Sequence, residues 1–161
     1  MATNASNIVI GAATITIGGT DVGHTIDGVT IRHAPEFVDV ESDQSAGIVR
    51  KGRQIERMYV STTLLEVTLE NLRKAMMFPT ANLQGGTLLT LGYNDSCWTD
   101  EHQIVITGPG PSCGTRTFTL TKCVSMAESE YQMQRTQEVR FAVEFECLKD
   151  SNGEFGTILD S

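Results

Sequence analysis

Three histidines, four cysteines and a scatter of carboxylates are the residues of this 161-residue chain that could do chemistry. His24, Asp27 and His33 lie close enough in sequence to be weighed as metal ligands. They straddle a turn and a strand, however, and no fourth ligand stands at useful spacing, so they read as exposed turn and strand residues. Cys97, Cys113, Cys123 and Cys147 contain no C-x-x-C pair, the usual zinc or redox spacing. They read as reduced thiols made in a cytosol, with two disulfides left open after release from a cell because their number is even. Ser125 and Ser129 have no G-x-S-x-G elbow around them. The glycines of GPGPSCG (108–114) are followed by no Lys-Ser/Thr, and with Pro109 and Pro111 they read as a hairpin loop rather than a phosphate loop. Glu128 and Glu130 are paired in sequence, but nothing places them in a cleft. Trp98, in the polar stretch YNDSCWTDEH (93–102), could anchor a partner surface or cover one end of the core. No catalytic constellation, metal site or cofactor motif emerges.

The composition narrows the remaining classes. Hydrophobic residues make up 40% and charged residues 20%, a globular balance, and 161 residues suit one domain better than two. Twelve Lys and Arg against twenty Asp and Glu give a net charge of −8, the wrong sign for gripping nucleic acid through its phosphates. No stretch approaches the roughly 20 apolar residues of a membrane-spanning helix. The opening MATNASNIVIG has no positive region before its short apolar run, so no export signal is expected.

The elements that must position any site are mostly strands. Ala13, Ile15 and Ile17 alternate with Thr14 and Thr16, and Gly18-Gly19 follows as a turn. Further strands fit 28–33, 53–67, 87–93, 103–107, 115–123 and 137–148. One helix stands out, with Thr68 as cap, Leu69, Leu72 and Met76 on one face, a Val67–Leu72 staple and a stop at about Phe78 before Pro79. Such a chain is expected to be mainly β, an antiparallel β-sandwich or barrel with one short flanking helix over residues 1–161.

Two strand faces are polar. In the last strand Glu138, Arg140, Ala142, Glu144 and Glu146 oppose Val139, Phe141, Val143, Phe145 and Cys147. Thr115, Thr117, Thr119 and Thr121 form a row opposite Arg116, Phe118 and Leu120. These faces suit water, as ordinary solvated walls or as the wetted lining of a ring. Between the second and third strands the charges separate. Residues 36–45 carry Glu36, Asp39, Glu41 and Asp43 with no base, and residues 50–57 carry Arg50, Lys51, Arg53 and Arg57 against Glu56. The segment reads as a long loop at about 34–57, without a fixed place until a neighbour meets it. Opposite runs of this kind are commonly solvated, yet they also suit a head-to-tail contact between copies, which builds rings and open stacks.

Residues 13–78 resemble the major tail tube proteins of long-tailed bacteriophages. The resemblance lies in ATITIGGTDVGHTIDGVTI (13–31), in EFVDVESDQSAG (36–47) with its Asp43-Gln44 pair, and in STTLLEVTLENLRKAM (61–76), where Thr68 to Leu72 open the helix. It covers a little under half of the chain, and residues 79–135 carry no such signal. The resemblance implies six-copy rings whose inner sheets join around a lumen, stacked into the tube through which DNA leaves the virion without being specifically bound. It places Glu36, Asp39, Glu41, Asp43, Gln44, Arg50, Lys51, Arg53 and Arg57 at contacts between subunits, with Glu138, Glu144, Glu146, Thr117 and Thr119 as candidates to face the lumen. The implied partners are further copies of the chain, tail terminator and tail tip or baseplate proteins, and a tape measure protein within the lumen; no cofactor and no membrane are implied. The tube of a contractile tail or a secretion-system ring shares this architecture. A small β-barrel module binding carbohydrate or peptide is the reading from another class, and an enzyme comes last.

Overall fold

The structure, a computed structural model, describes residues 4–92, 101–126 and 128–161. Cys97 and Trp98 lie outside the described residues, as does the end of the expected strand at residue 93. The described chain is mainly β. In order it forms β1 (Thr14–Ile17), β2 (Thr20–Asp21), β3 (Thr25–Ser42), β4 (Ser45–Leu64), α1 (Leu69–Ala75), β5 (Leu83–Gln84) and β6 (Leu88–Leu89). Then come β7 (His102–Pro109), β8 (Thr115–Ser125), β9 (Phe141–Leu148) and β10 (Gly156–Asp160). Eight strands make one antiparallel sheet in the order β2-β1-β7-β8-β9-β4-β3, with β10 added to β8 beside β9.

Alternation along the strands decides which residues go inside. On β9, Phe141, Val143, Phe145 and Cys147 are buried while Ala142, Glu144 and Glu146 face outward, as period two demands. Ile15 and Ile17 of β1, near one end of the sheet, join Val60 and Leu64 of β4, near the other, in a single core with Ile104, Leu120, Phe141 and Phe145. On β8 the alternation breaks. His102 sits opposite Cys123 but Ile104 opposite Leu120, so β8 carries one extra residue there, a bulge that turns both Leu120 and Cys123 inward.

Several expectations are corrected. Strand 87–93 shrinks to β6, which pairs only with β5 across a turn at Gly85 and Gly86, both in the left-handed region (φ 58 and 71). The last strand starts at Phe141, so Glu138 precedes it and pairs with Arg140 (2.6 Å) instead of joining the Glu144–Glu146 face. The strand β10 was not expected. It can lie on β8 only because residue 156 has no side chain: a Cβ there would stand 1.9 Å from the Thr119 carbonyl oxygen.

The helix starts where expected, with the Thr68 hydroxyl accepting from the Asn71 amide (3.2 Å). It stops before Phe78, because Met77 turns left-handed (φ 59) and the Phe78 and Met77 amides bond back to the Arg73 and Lys74 carbonyls (3.0 and 3.2 Å). This is a Schellman closure with methionine in the usual glycine position, and its side chain is buried. Of the expected apolar face, Leu72 and Met76 pack against the core, and beside the fully buried Ala75 the helix also buries polar residues that were not expected inside. Asn71, Arg73 and Lys74 are each 4% exposed. The Asn71 amide donates to the Val22 and Glu66 carbonyls (2.9 and 2.7 Å), and the Lys74 ammonium donates to the Ile17 carbonyl (2.8 Å) and the Thr20 hydroxyl (2.5 Å). Asn71→Ala leaves two carbonyls without this donor and is expected to cost about 2–4 kcal/mol in urea unfolding; Leu69→Ala, at a half-exposed position, is expected to cost distinctly less.

Candidate assembly interface

The segment expected to be a loop at about 34–57 is a laddered β-hairpin. Glu36 pairs with Ile55, Phe37 with Arg53, Asp39 with Lys51, Val40 with Arg50 and Glu41 with Ile48, and Ser42 and Ser45 close the ribbon around Asp43-Gln44. The Ser42 hydroxyl fixes the turn, donating to the Gln44 side chain (2.8 Å) and accepting from the Gln44 amide (3.3 Å). The β-branched runs Phe37-Val38-x-Val40 and Ile48-Val49 form strands in spite of their charged neighbours, because β propensity tolerates polar residues on a surface ribbon.

The hairpin has two halves. At its base, Met58–Leu64 of β4 pair with Phe141–Cys147 of β9, so β4 is an interior strand there. Beyond Met58, β4 has only β3 beside it among the described residues, and the ribbon extends about 30 Å along Ala34–Ser42 of β3 at 3.3 Å per residue. Among the described residues, Lys149 reaches Glu56 near the base of this arm, and its apolar residues are left largely open. Phe37, Val38, Val40, Ile48, Val49 and Ile55 are between 39% and 52% exposed. Cross-strand pairing places Phe37, Asp39, Glu41, Ile48, Lys51 and Arg53 on one face. The other face carries Glu36, Val38, Val40, Arg50 and Ile55. Both faces therefore mix aliphatic and charged groups.

The opposite charge runs meet first within the arm. Lys51 reaches Asp39 (3.0 Å), Arg57 reaches Glu36 (3.6 Å), and Arg53 pairs with Glu56 while lying 5.8 Å over the Phe37 ring. Glu56 also receives Lys149 (3.1 Å), and Lys149 and then Arg53 hold its carboxyl below the usual carboxylate range. Among the described residues, Glu41, Asp43 and Arg50 make no ion pair, and all three lie toward the tip. These, with the exposed aliphatics, are what the arm has to offer a partner. The sequence reading named the charges but missed the apolar residues between them; their β-branched spacing around Ser-Asp-Gln-Ser was the available signal.

The lumen candidates fall into two patches. Glu144 and Glu146 stand on the outer face of β9 beside Ser61 and Tyr59 of β4, with Arg32 of β3 reaching Glu144 (3.7 Å). Thr117 and Thr119 stand on β8 between Thr107 and Val105 of β7 and Leu159 and Thr157 of β10. Of the residues weighed for metal, His24 is engaged by Glu66 (Nδ1 to Oε1, 2.5 Å), His33 lies 3.4 Å from Glu56, and Asp27 sits in an exposed bulge of β3. Among the described residues no three His, Cys, Asp or Glu side chains form a metal-binding group. The GPGPSCG segment is the hairpin turn between β7 and β8, as expected.

Comparison with protein families and with curated proteins finds no match to this chain.

The ion pairs set a pH dependence. Glu56, Glu66, Glu70 and Asp160 are held below the ordinary carboxyl range by Lys149, His24, Arg73 and Arg116 respectively. Each adds stability that is present above about pH 4.5 and lost as pH falls through its depressed value. Glu66 holds His24 above its ordinary value, so that contribution is full below about pH 6.5 and lost as pH rises through the raised value. The urea midpoint is expected to climb from about pH 3 to about pH 5 and to sag above about pH 7; Glu66→Gln should abolish the sag and return the NMR-detected His24 titration to its ordinary midpoint.

Proposed function

We propose that the chain is a self-assembling structural subunit, the repeating unit of a bacteriophage tail tube. The observation that carries this reading is the β3–β4 arm. A two-stranded ribbon with large apolar residues half exposed on both faces is marginal alone in water and gains most from burial against another surface. In this reading the arm of one copy lies on the next copy, with Arg50 at its tip meeting an acid of the neighbour and Glu41 and Asp43 meeting a base. Repetition of that contact is heterologous, so it closes rings or extends stacks.

Other features support the same reading. The exposed edge of β10, with Ile158 and Leu159 each 64% exposed, offers a second surface to a neighbour. The acidic wall around Glu144 and Glu146, in a chain of net charge −8, suits a lumen that lets a polyanion slide without holding it. Tail terminator and tail tip or baseplate proteins would then bind the two ends of the stack, and a tape measure protein would fill the lumen before DNA. A contractile-tail or secretion-system tube is the same reading at lower resolution.

A small binding module is the second reading, and one feature favours it. A groove of about 400 Å³ runs between the hairpin base and β10, lined by Ile31, Met58, Phe118, Leu120, Phe155 and Ile158. A module of this kind would work as a monomer.

Negative-stain microscopy of the concentrated protein separates the two. Rings or tubes are expected; monomers in every salt condition would count against the tube. Replacing residues 36–55 by a two-residue Asn-Gly turn should leave the body folded and abolish assembly. Because Arg50 has no ion-pair partner within its own described chain, Arg50→Glu should weaken assembly several-fold without lowering monomer stability, and assembly unchanged by it would remove Arg50 from the contact.

A further inference from the structure

We propose that Cys123 and Cys147 are a pre-aligned dithiol that closes into a cross-strand disulfide between β8 and β9 when the protein meets a small-molecule disulfide. The two residues are directly opposite one another in the ladder, their side chains point to the same core, and their sulfurs are 3.5 Å apart. A sulfur–sulfur bond needs about 2.05 Å, so closure asks for a shift of about 1.5 Å, within reach of a small side-chain rotation. Among the described residues Cys113 has no such partner, standing exposed on the turn between β7 and β8.

The position gives the bond a purpose. β9 is bound along β4 from Met58 to Leu64, but to β8 through the shorter ladder of Phe145–Leu148 against Lys122–Ser125, extended by the Met126 amide on the Glu144 carbonyl (3.0 Å). That short ladder joins the hairpin side of the sheet to the β1-β7-β8 side, and the thiol pair lies within it. A disulfide there would close the chain from Val124 to Glu146 into a covalent loop and restrict the unfolded state accordingly.

The chemistry balances with oxidised glutathione as oxidant. The thiolate of one cysteine attacks the glutathione disulfide, breaking its S–S bond and releasing one glutathione thiolate. The second cysteine attacks the mixed disulfide, forming the Cys123–Cys147 bond and releasing the second. The protein loses two electrons, the glutathione disulfide gains them, and the two thiol protons end on the released glutathiones. Both cysteines are almost fully buried, which keeps an oxidant in solution away from them, so closure runs faster in a chain still folding than in the finished sheet.

The test refolds the full chain from guanidinium in a mixture of oxidised and reduced glutathione, then counts thiols under denaturing conditions and maps unreduced peptides by mass spectrometry. Two thiols should disappear, with one linked peptide pair containing Cys123 and Cys147. The melting temperature should rise by about 5–15 °C and fall back on adding dithiothreitol. The Cys97→Ser/Cys113→Ser variant, which keeps only the core pair, should behave alike; if it does not fold, the wild-type peptide map still decides. Four free thiols after refolding, or oxidation confined to Cys97 and Cys113, would overturn the proposal. It stands apart from the assembly reading, since the bond is read on the monomer.

Discussion

β4 is longer than the strand that holds it. It runs for 20 residues while β9, its partner on the body side, runs for 8. Where the two overlap, β4 is an interior strand with Val60 and Leu64 in the core; where β9 stops, the same strand becomes the outer half of a bare ribbon. Hydrogen bonding alone does not keep such a ribbon in one shape, because water competes for every amide and carbonyl on its free edges. Its cross-strand ion pairs at Asp39–Lys51 and Glu36–Arg57 are exposed and each adds little. The arm therefore has free energy still to gain from burial against another surface. The proposed tube follows from this mismatch in strand length more than from any single residue.

The body, by contrast, is closed by polar as well as apolar contacts. Glu70 takes a two-pronged hydrogen bond from Arg73 (3.2 and 2.8 Å) and lies 3.5 Å from Lys74, so neither buried cation is left without a counter-charge. Arg73 donates onward to the Phe78 carbonyl (3.2 Å). Lys74 crosses to the β1–β2 turn, and Asn71 ties the helix to Val22 and to the end of the β4 segment. These bonds are directional, where apolar packing is not, so they fix how the helix sits on the sheet as well as that it sits there. A short helix of seven residues would have little independent stability without them.

How much of this could be read from the residues depended on the range of the interaction. The alternation of Phe141, Val143, Phe145 and Cys147, the Thr68 cap and the Gly-Pro turn at 108–114 are local patterns, and each was legible. Leu72 and Met76 of the helix were read correctly toward the core, but its buried polar residues were missed because amphipathic reading discounts Asn, Arg and Lys; the partners that make those residues fit inside are Val22, Ile17 and Thr20, some fifty residues away. The hairpin was misjudged because its charges read as solvated loop, whereas each acid of the ladder from Glu36 to Asp39 has a base placed to meet it across the ribbon or one step along it. The bulge at Leu120–Cys123 was invisible, since a single extra residue leaves composition unchanged and shows only in register. The charged residues of the arm were thus legible, but their division between its two faces, and the aliphatics that separate them, required the ladder.

The sheet also sets how a load on the arm would travel. Any force applied at residues 36–55 enters the body through β4 and passes to β9 along the ladder from Met58 to Leu64. From β9 it reaches β8, and so β7 and β1, through the ladder between Lys122–Ser125 and Phe145–Leu148 and the Met126 amide on the Glu144 carbonyl, beside the route through the helix, whose Asn71 and Lys74 hold Val22 and Ile17. β10 does not relieve that joint, because it occupies the neighbouring stretch of β8, from Arg116 to Leu120, and pairs with no other strand. In antiparallel strands pulled lengthwise the hydrogen bonds share the load, so a short ladder is the weaker element, and core packing from Phe145 and Cys147 is what supplements it. In the proposed tube, a subunit held by its neighbours through arms would be under this kind of load whenever the tube bends. The buried sulfur pair lies inside this four-pair ladder, so a disulfide there would add a covalent link at one of the two short ladders on that path, the four-pair β1–β7 ladder being the other.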